Sequence, residues 1–423
     1  MPIPFIFHII ENGPPPWLRD NFWLILKSIT SVVFLGLLKV YTSGARCLVE
    51  KDMHGKVVII TGGTTGIGAQ TTLELAARGA QMVLLTRQPP SDPFLADYIE
   101  DVRRQTGNQM VYAEQVNLLS PHSIRKFATR WIDNAPPRRL DLVILCASEL
   151  TPPGKGLVET KEGVEATWMV NFLANFHLLG ILSPAIRAQP FDRDVRIIFT
   201  TCSSYIGSPP LETVLDGKKW SAGKAYARSK LALMVFGQSF QKHLDAFKRP
   251  DSLPMNARVV FVDPGYSRTP SMRQWLTRGS LWGLALYLLG YLFPWFLLKS
   301  PNRGAQSILY ASMEPSLGRG PGGKMVKECM EVDFARKDIN DDAVGKKLWE
   351  DSDKLIEKIE KEQAIQRAKD KKVAEKEAQE QKEAEQAAEI ESLVDTIKKG
   401  RQKETENQQS SSIKARKKSK KAT

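Results

Sequence analysis

The chain has 423 residues, 42% of them hydrophobic, which excludes wholesale disorder and fits one core domain carrying extensions. The net charge of +13 is uneven: residues 411–423 hold Lys414, Arg416, Lys417, Lys418, Lys420 and Lys421 and no acid. That tail reads as membrane-surface or targeting chemistry. Nucleic-acid binding is the weaker rival, because no recognition fold accompanies it.

In chain order, the first element is the apolar run FWLILKSITSVVFLGLLKVY at 22–41, about the length of a membrane-spanning helix. Lys27 and Lys39 lie toward its ends, where they can snorkel, and Trp17 and Trp23 stand where an aromatic belt would place them. A helix lying in the interface is the rival reading. A cleaved signal peptide fits poorly, since there is no basic region before the run and no small-residue cleavage site after Tyr41. Lys39, Arg46, Lys51 and Lys56 follow the run while Arg19 nearly stands alone before it, so positive-inside logic puts the main domain in the cytosol.

Residues 51–335 form the expected catalytic domain, after an anchor region at 1–50. Short apolar runs at 56–61, 82–86, 110–116, 140–147, 195–201 and 257–262 read as strands. Helical periodicity fills 70–78, 123–131, 164–183 and 227–247. Repeated strand–helix units predict an α/β fold with a doubly wound parallel sheet. Residues 281–298, LWGLALYLLGYLFPWFLL, are uncharged, and Pro294 should kink them. A span there would cut away the sheet's last strand, so a membrane-dipping or lipid-facing substrate lid, past which substrate would enter from the bilayer, is favoured over a span. Residues 336–423 are expected to be a charged helical tail. From 361 to 399 it is a Glu, Lys, Gln and Ala helix, with one heptad at Ile390, Leu393, Val394 and Ile397 that leaves coiled-coil pairing open but weak. Lys420 and Lys421 stand where a dilysine retrieval signal for the endoplasmic reticulum would, or by coincidence in a basic tail.

The chemistry begins at TGGTTGIG, residues 61–68, between the first strand and its helix. Gly62 permits the tight turn, Gly66 lets backbone approach a pyrophosphate, and Gly68 allows close packing of helix on strand. The helix amino terminus offers free N–H groups to phosphates, so a dinucleotide is expected in a Rossmann-type fold. Arg87 ends the second strand, where an NAD site usually carries a carboxylate. It would attract a 2′-phosphate, which favours NADP(H) and leaves NAD(H) and a surface arginine as alternatives.

Tyr226 and Lys230 are four apart and share one helix face. An ammonium there lowers the cost of a phenolate, so Tyr226 can exchange a proton with a substrate oxygen, and Lys230 can hold the nicotinamide ribose. Ser203 and Ser204 end the fifth strand run, where a hydroxyl could bond the same oxygen. Asn171 could orient a water in a proton path. The cysteines (Cys47, Cys146, Cys202, Cys329) form no CxxC pair. His8, His54, His122, His177 and His243 sit at no ligand spacing, so no metal is expected.

TGGTTGIG, the asparagine after Val170, the serine pair and YARSK come in the order and rough spacing of the short-chain dehydrogenase/reductase family, which residues 55–330 resemble. The retinol-dehydrogenase-like branch is the nearest likeness. EGVE at 162–165 before Asn171, KKW at 218–220, Asp263, Pro264 and Gly265 through Thr269, and KSP at 299–301 carry it. The resemblance implies an oxidoreductase for retinoids, steroids or other hydrophobic carbonyls, on endoplasmic reticulum or lipid droplets, and leaves a homodimer open. It implies cofactor contacts from Thr61, Gly62, Thr65, Gly66, Ile67, Gly68, Arg87, Asn117, Ala147, Asn171, Tyr226, Lys230, Pro264, Gly265 and Thr269. It implies catalysis by Asn171, Ser204, Tyr226 and Lys230. Two departures stand out: the family's NNAG is LCAS at 145–148, keeping only Ala147, and its aspartate after the third strand is Asn117. Ser204 keeps the three-residue gap to Gly207 and is preferred to Ser203. The altered LCAS segment and the charged tail motivate the alternative, a membrane-anchored scaffold on a degenerate dehydrogenase.

Overall fold

The computed structural model describes residues 15–419 apart from Val214 and residues 216–219. Lys218, Lys219 and the dilysine at Lys420 and Lys421 lie outside the described residues. After α1 (Pro16–Asp20) and α2 (Phe22–Ser43), β1 (Val57–Thr61) leads into α3 (Gly66–Ala77). There follow β2 (Gln81–Thr86), α4 (Pro93–Thr106), β3 (Val111–Gln115), α5 (Pro121–Ile132), β4 (Leu142–Leu145), α6 (Ala166–Arg187), β5 (Val195–Thr200), α7 (Ala222–Asp245) and β6 (Ala257–Asp263). The chain continues through α8 (Pro270–Leu276), α9 (Leu281–Leu289), α10 (Leu292–Leu297), α11 (Pro301–Met313), β7 (Lys324–Lys327), β8 (Met330–Val332) and α12 (Asp342–Ser419).

The strands form one sheet in the order β3-β2-β1-β4-β5-β6-β7-β8, parallel except for the antiparallel β7–β8 pair. β1 is buried along its whole length, as a strand covered on both faces must be. Its Val58 and Ile60 join Leu75 of α3, Leu95 and Ile99 of α4 and Ile308 of α11 in one core. On the other face Phe199 of β5 stands 6.0 Å from Phe236 of α7. The strand order reverses between β1 and β4, and that switch point opens a crevice at the carboxyl ends of the strands.

Among the described residues two helices, α2 and α6, are long and apolar enough to cross a membrane by length and composition. They differ in surroundings: 78% of the most apolar stretch of α6 is buried, and none of that of α2. α6 is therefore a core helix, and α2 alone lacks cover. The 281–298 run is α9 and α10 with a break at Gly290 and Tyr291. The expected kink at Pro294 is not where the chain turns. Pro294 sits in the first turn of α10, where a missing N–H leaves no helical hydrogen bond unmade. The first compact unit ends at Glu357, not near 335, so α12 contributes its first turns to it. The second unit starts at Lys358.

Candidate active site

A cleft of about 740 Å³ lies at the strand ends. One end is the loop after β1. Gly62 takes φ +69°, and a Cβ there would come 2.8 Å from the Ala147 backbone. A Cβ on Gly68 would come 2.1 Å from Gly62 O, so helix and strand can approach this closely only through glycine. Thr65 caps α3 without a side-chain hydrogen bond, which leaves the first amides of α3 to face the cleft. Thr269 caps α8 from the opposite wall and faces Gly66. This cradle suits a pyrophosphate.

Gly62, Thr65, Gly66, Ile67, Gly68, Arg87, Asn117, Ala147, Ser204, Tyr226, Lys230, Pro264, Gly265 and Thr269 all line the cleft. Arg87 is exposed on its rim. Asn117 uses its side-chain oxygen to accept from the Leu119 N–H at 3.1 Å. Three expected residues are placed otherwise. Thr61 is buried behind the loop, its Oγ1 accepting from the Ala147 N–H at 3.1 Å. Ser203 turns out of the cleft: its hydroxyl donates to Asp263 and accepts from Lys327 Nζ at 2.9 Å. Asn171 is fully buried in a π-helical turn, accepting from the Glu149 N–H at 2.7 Å and donating to Glu149 O and Ser229 Oγ at 3.0 Å. Its side chain braces the wall that its neighbour Val170 presents to the cleft.

Ser221 caps α7, so Tyr226 and Lys230 project from its first turns. Lys230 Nζ donates to Thr200 O at 3.0 Å and lies 5.5 Å from the Tyr226 ring centre. Burial lowers the Lys230 ammonium. Burial also holds the Tyr226 phenol well above its ordinary value, Cys202 and Asp263 push the same way, and the Ser148 hydroxyl opposes them. On balance the phenol is raised, against the lowering expected of the neighbouring ammonium.

Sequence reasoning missed Ser148, Cys202 and Asp263. Cys202 lines the cleft with its Sγ 2.8 Å from Ser204 Oγ. Asp263 is buried, accepts from the Gly265 N–H at 2.9 Å and pairs with Lys327 at 3.4 Å. Asp263 is the residue before Pro264, and Cys202 adjoins the serine pair, so neighbourhood to known site residues was the available signal. The cleft mouth is lined by Met272, Trp275, Leu276 and Leu298.

A family model described as short chain dehydrogenase matches residues 56–278. The chain belongs to that family. Schizosaccharomyces pombe "Uncharacterized oxidoreductase pbr1" is 41% identical over 367 residues, 86% of this chain and 97% of that one. Mouse retinol dehydrogenase 13 is 30% identical over 79% of this chain and 94% of its own. Mouse polyprenol dehydrogenase is 30% identical over 70% and 82%. A solved structure of a Mycobacterium paratuberculosis protein covers 74% of this chain and 98% of its own, with TM-score 0.53 and 22% identity, and shows the shared fold. As a short-chain dehydrogenase the protein is an oxidoreductase acting on CH–OH groups of a small molecule. Membership also gives the cofactor class, a nicotinamide dinucleotide.

Proposed function

We propose that the protein is an NADP(H)-dependent oxidoreductase interconverting a lipophilic alcohol and its ketone or aldehyde, a retinoid, a steroid or another lipid carbonyl. One observation carries this reading: Ser204, Tyr226 and Lys230 line the same cleft as the glycine cradle of 62–68. The names of the retinol and polyprenol dehydrogenases point the same way.

A nicotinamide dinucleotide held in the cleft would supply or take up the hydride. The α3 amides would hold its pyrophosphate, and the Arg87 guanidinium a 2′-phosphate. Ser204 Oγ polarises the substrate oxygen. In reduction Tyr226 gives that oxygen its phenolic proton as the carbonyl carbon becomes C–H, and in oxidation the proton returns to Tyr226. Lys230, fixed on Thr200 O, sets the charge beside the phenol. Asn171 acts at one remove by holding the backbone at Glu149. The exposed apolar surface of α2 supports membrane association, with the endoplasmic reticulum or lipid droplets as the proposed site and the cleft on the cytosolic side.

The test is turnover of lipid aldehydes and ketones with NADPH and NADH, by wild type and Tyr226→Phe. Wild type should turn over and bind NADPH more tightly than NADH. Tyr226→Phe should lose at least a hundredfold in rate with NADPH binding kept. Retained turnover in the variant overturns the assignment. Absence of nicotinamide binding favours the scaffold reading.

A further inference from the structure

α9 and α10 have 9 and 6 residues, about 14 and 9 Å of helix, so neither crosses a hydrocarbon core about 30 Å thick. Yet no residue of either helix is buried. Leu281 is 85% exposed, Trp282 84%, Leu289 87% and Phe293 72%. A patch of this size on a folded domain marks a contact surface.

The hairpin is stitched to the anchor helix. Lys39, near the end of α2, donates to Trp295 O and stands 4.7 Å over the Trp295 ring. Thr42 Oγ1 donates to Phe296 O at 2.8 Å. These two side chains satisfy carbonyls that the end of α10 cannot pair within the helix. α10 therefore sits level with the last turns of α2, where a lysine and an indole meet as they do at a membrane interface.

A second cavity, about 670 Å³, runs through the hairpin along Leu286, Tyr287, Phe293, Pro294 and Leu297. It shares Leu276 and Leu298 with the catalytic cleft, so the two adjoin across that pair. Arg278 lies on its wall and Arg268 bonds the Tyr291 hydroxyl at 2.8 Å, which places cations where the apolar surface ends.

We infer that the end of α2 and the α9–α10 hairpin form one platform seated in the headgroup–acyl boundary of a lipid bilayer, and that the hairpin groove takes the hydrocarbon chain of a bilayer-resident substrate whose oxygen end alone enters the cleft. The occupant of the platform is lipid, because the surface is continuous with the uncovered apolar face of α2 and is rimmed by arginine. The occupant of the groove is a long-chain aldehyde, ketone or alcohol. This part rests on the oxidoreductase reading.

Two measurements on the full chain in phosphatidylcholine vesicles separate the claims. In the first, tryptophan emission of wild type minus that of Trp282→Phe gives the Trp282 contribution, read in vesicles brominated high on the acyl chain. Quenching of that contribution by half or more is expected. Unquenched emission at the wavelength of a water-exposed indole overturns the platform, whatever the chemistry. In the second, Leu286→Ser/Phe293→Ser/Leu297→Ser, compared with wild type at equal amounts of vesicle-bound protein, is assayed on a vesicle-embedded long-chain aldehyde and on a short water-soluble aldehyde. The embedded substrate should lose tenfold or more in kcat/KM and the soluble one less than twofold. Equal losses, or no loss on either, overturn the groove. Absence of turnover of both aldehydes by wild type, with Trp282 quenched, overturns the oxidoreductase reading and the groove with it and leaves the platform standing.

Discussion

At Tyr226 burial, Cys202 and Asp263 all hold the proton on the phenol. Asp263 is the one whose charge can be removed with little change of shape. Its carboxylate ties the Ser203 hydroxyl, the Gly265 N–H and Lys327 into one node behind the cleft. Asp263→Asn should therefore move the limb of the kcat/KM profile that reports the phenolate in alcohol oxidation to lower pH. An unmoved limb with normal kinetics would show that Asp263 braces the wall without influencing Tyr226. This node also marks the limit of what residues in sequence can say. Tyr226 and Lys230 were legible because one helix turn sets their spacing, and Ser204 because of its interval to Gly207. Asp263 and Lys327 meet only because β6 and β7 are neighbours, 64 residues apart in the chain. The outward turn of Ser203 follows from that pairing, so no local pattern foretold it.

Among the elements, β1, β2, β4, β5 and β6 announced themselves as apolar runs because central parallel strands are buried on both faces, while β3 lies at one edge and buries only Val111. β7 and β8 did not. KMVK and MEV are short, carry charge and close the sheet at one edge, where burial selects few side chains. What aligns the centre of the sheet is Asp141, just ahead of β4. It accepts from the Val57 N–H at 2.9 Å and is held by Arg139 and Lys56. Burial pushes its carboxyl up, but the hydrogen bonds from Arg139 and Val57 and the charge on Lys56 outweigh that, and it lies below its ordinary value. A group depressed in the fold stabilises above its unfolded value and loses that contribution as pH falls through the folded one. Asp141→Asn should thus cost about 1–3 kcal/mol at neutral pH, and the cost should shrink below about pH 4. Urea unfolding at pH 7 and pH 3 checks it, and an equal cost at both would mean that shape, not charge, holds β4 to β1.

For the molecule as a whole, composition misplaced the boundary between core and tail. Lysine and glutamate dominate after residue 336, yet Val344, Trp349, Ser352 and Ile356 recur at helical intervals, and that stripe faces the core. Trp349 stands 5.5 Å from Phe176 and 5.6 Å from Phe236, so the start of α12 closes the aromatic cluster between α6 and α7, the helix that carries Tyr226 and Lys230. Ile356, two turns further along α12, is 4% exposed. Beyond Glu357 the chain forms its own unit, and none of its described residues lines the cleft. Ending the chain after Glu360, which keeps the buried Ile359, should therefore leave NADPH affinity and denaturant midpoint close to those of the full protein. Trp349→Ala in the full chain should cost about 2–4 kcal/mol, because a large ring leaves a void that the neighbouring phenylalanines can only partly fill. Paired unfolding curves decide the matter. If loss of residues 361–423 destabilises as much as loss of Trp349, the tail supports the core. If Trp349→Ala is neutral, the aromatic cluster is closed by other residues and the start of α12 is as dispensable as its end.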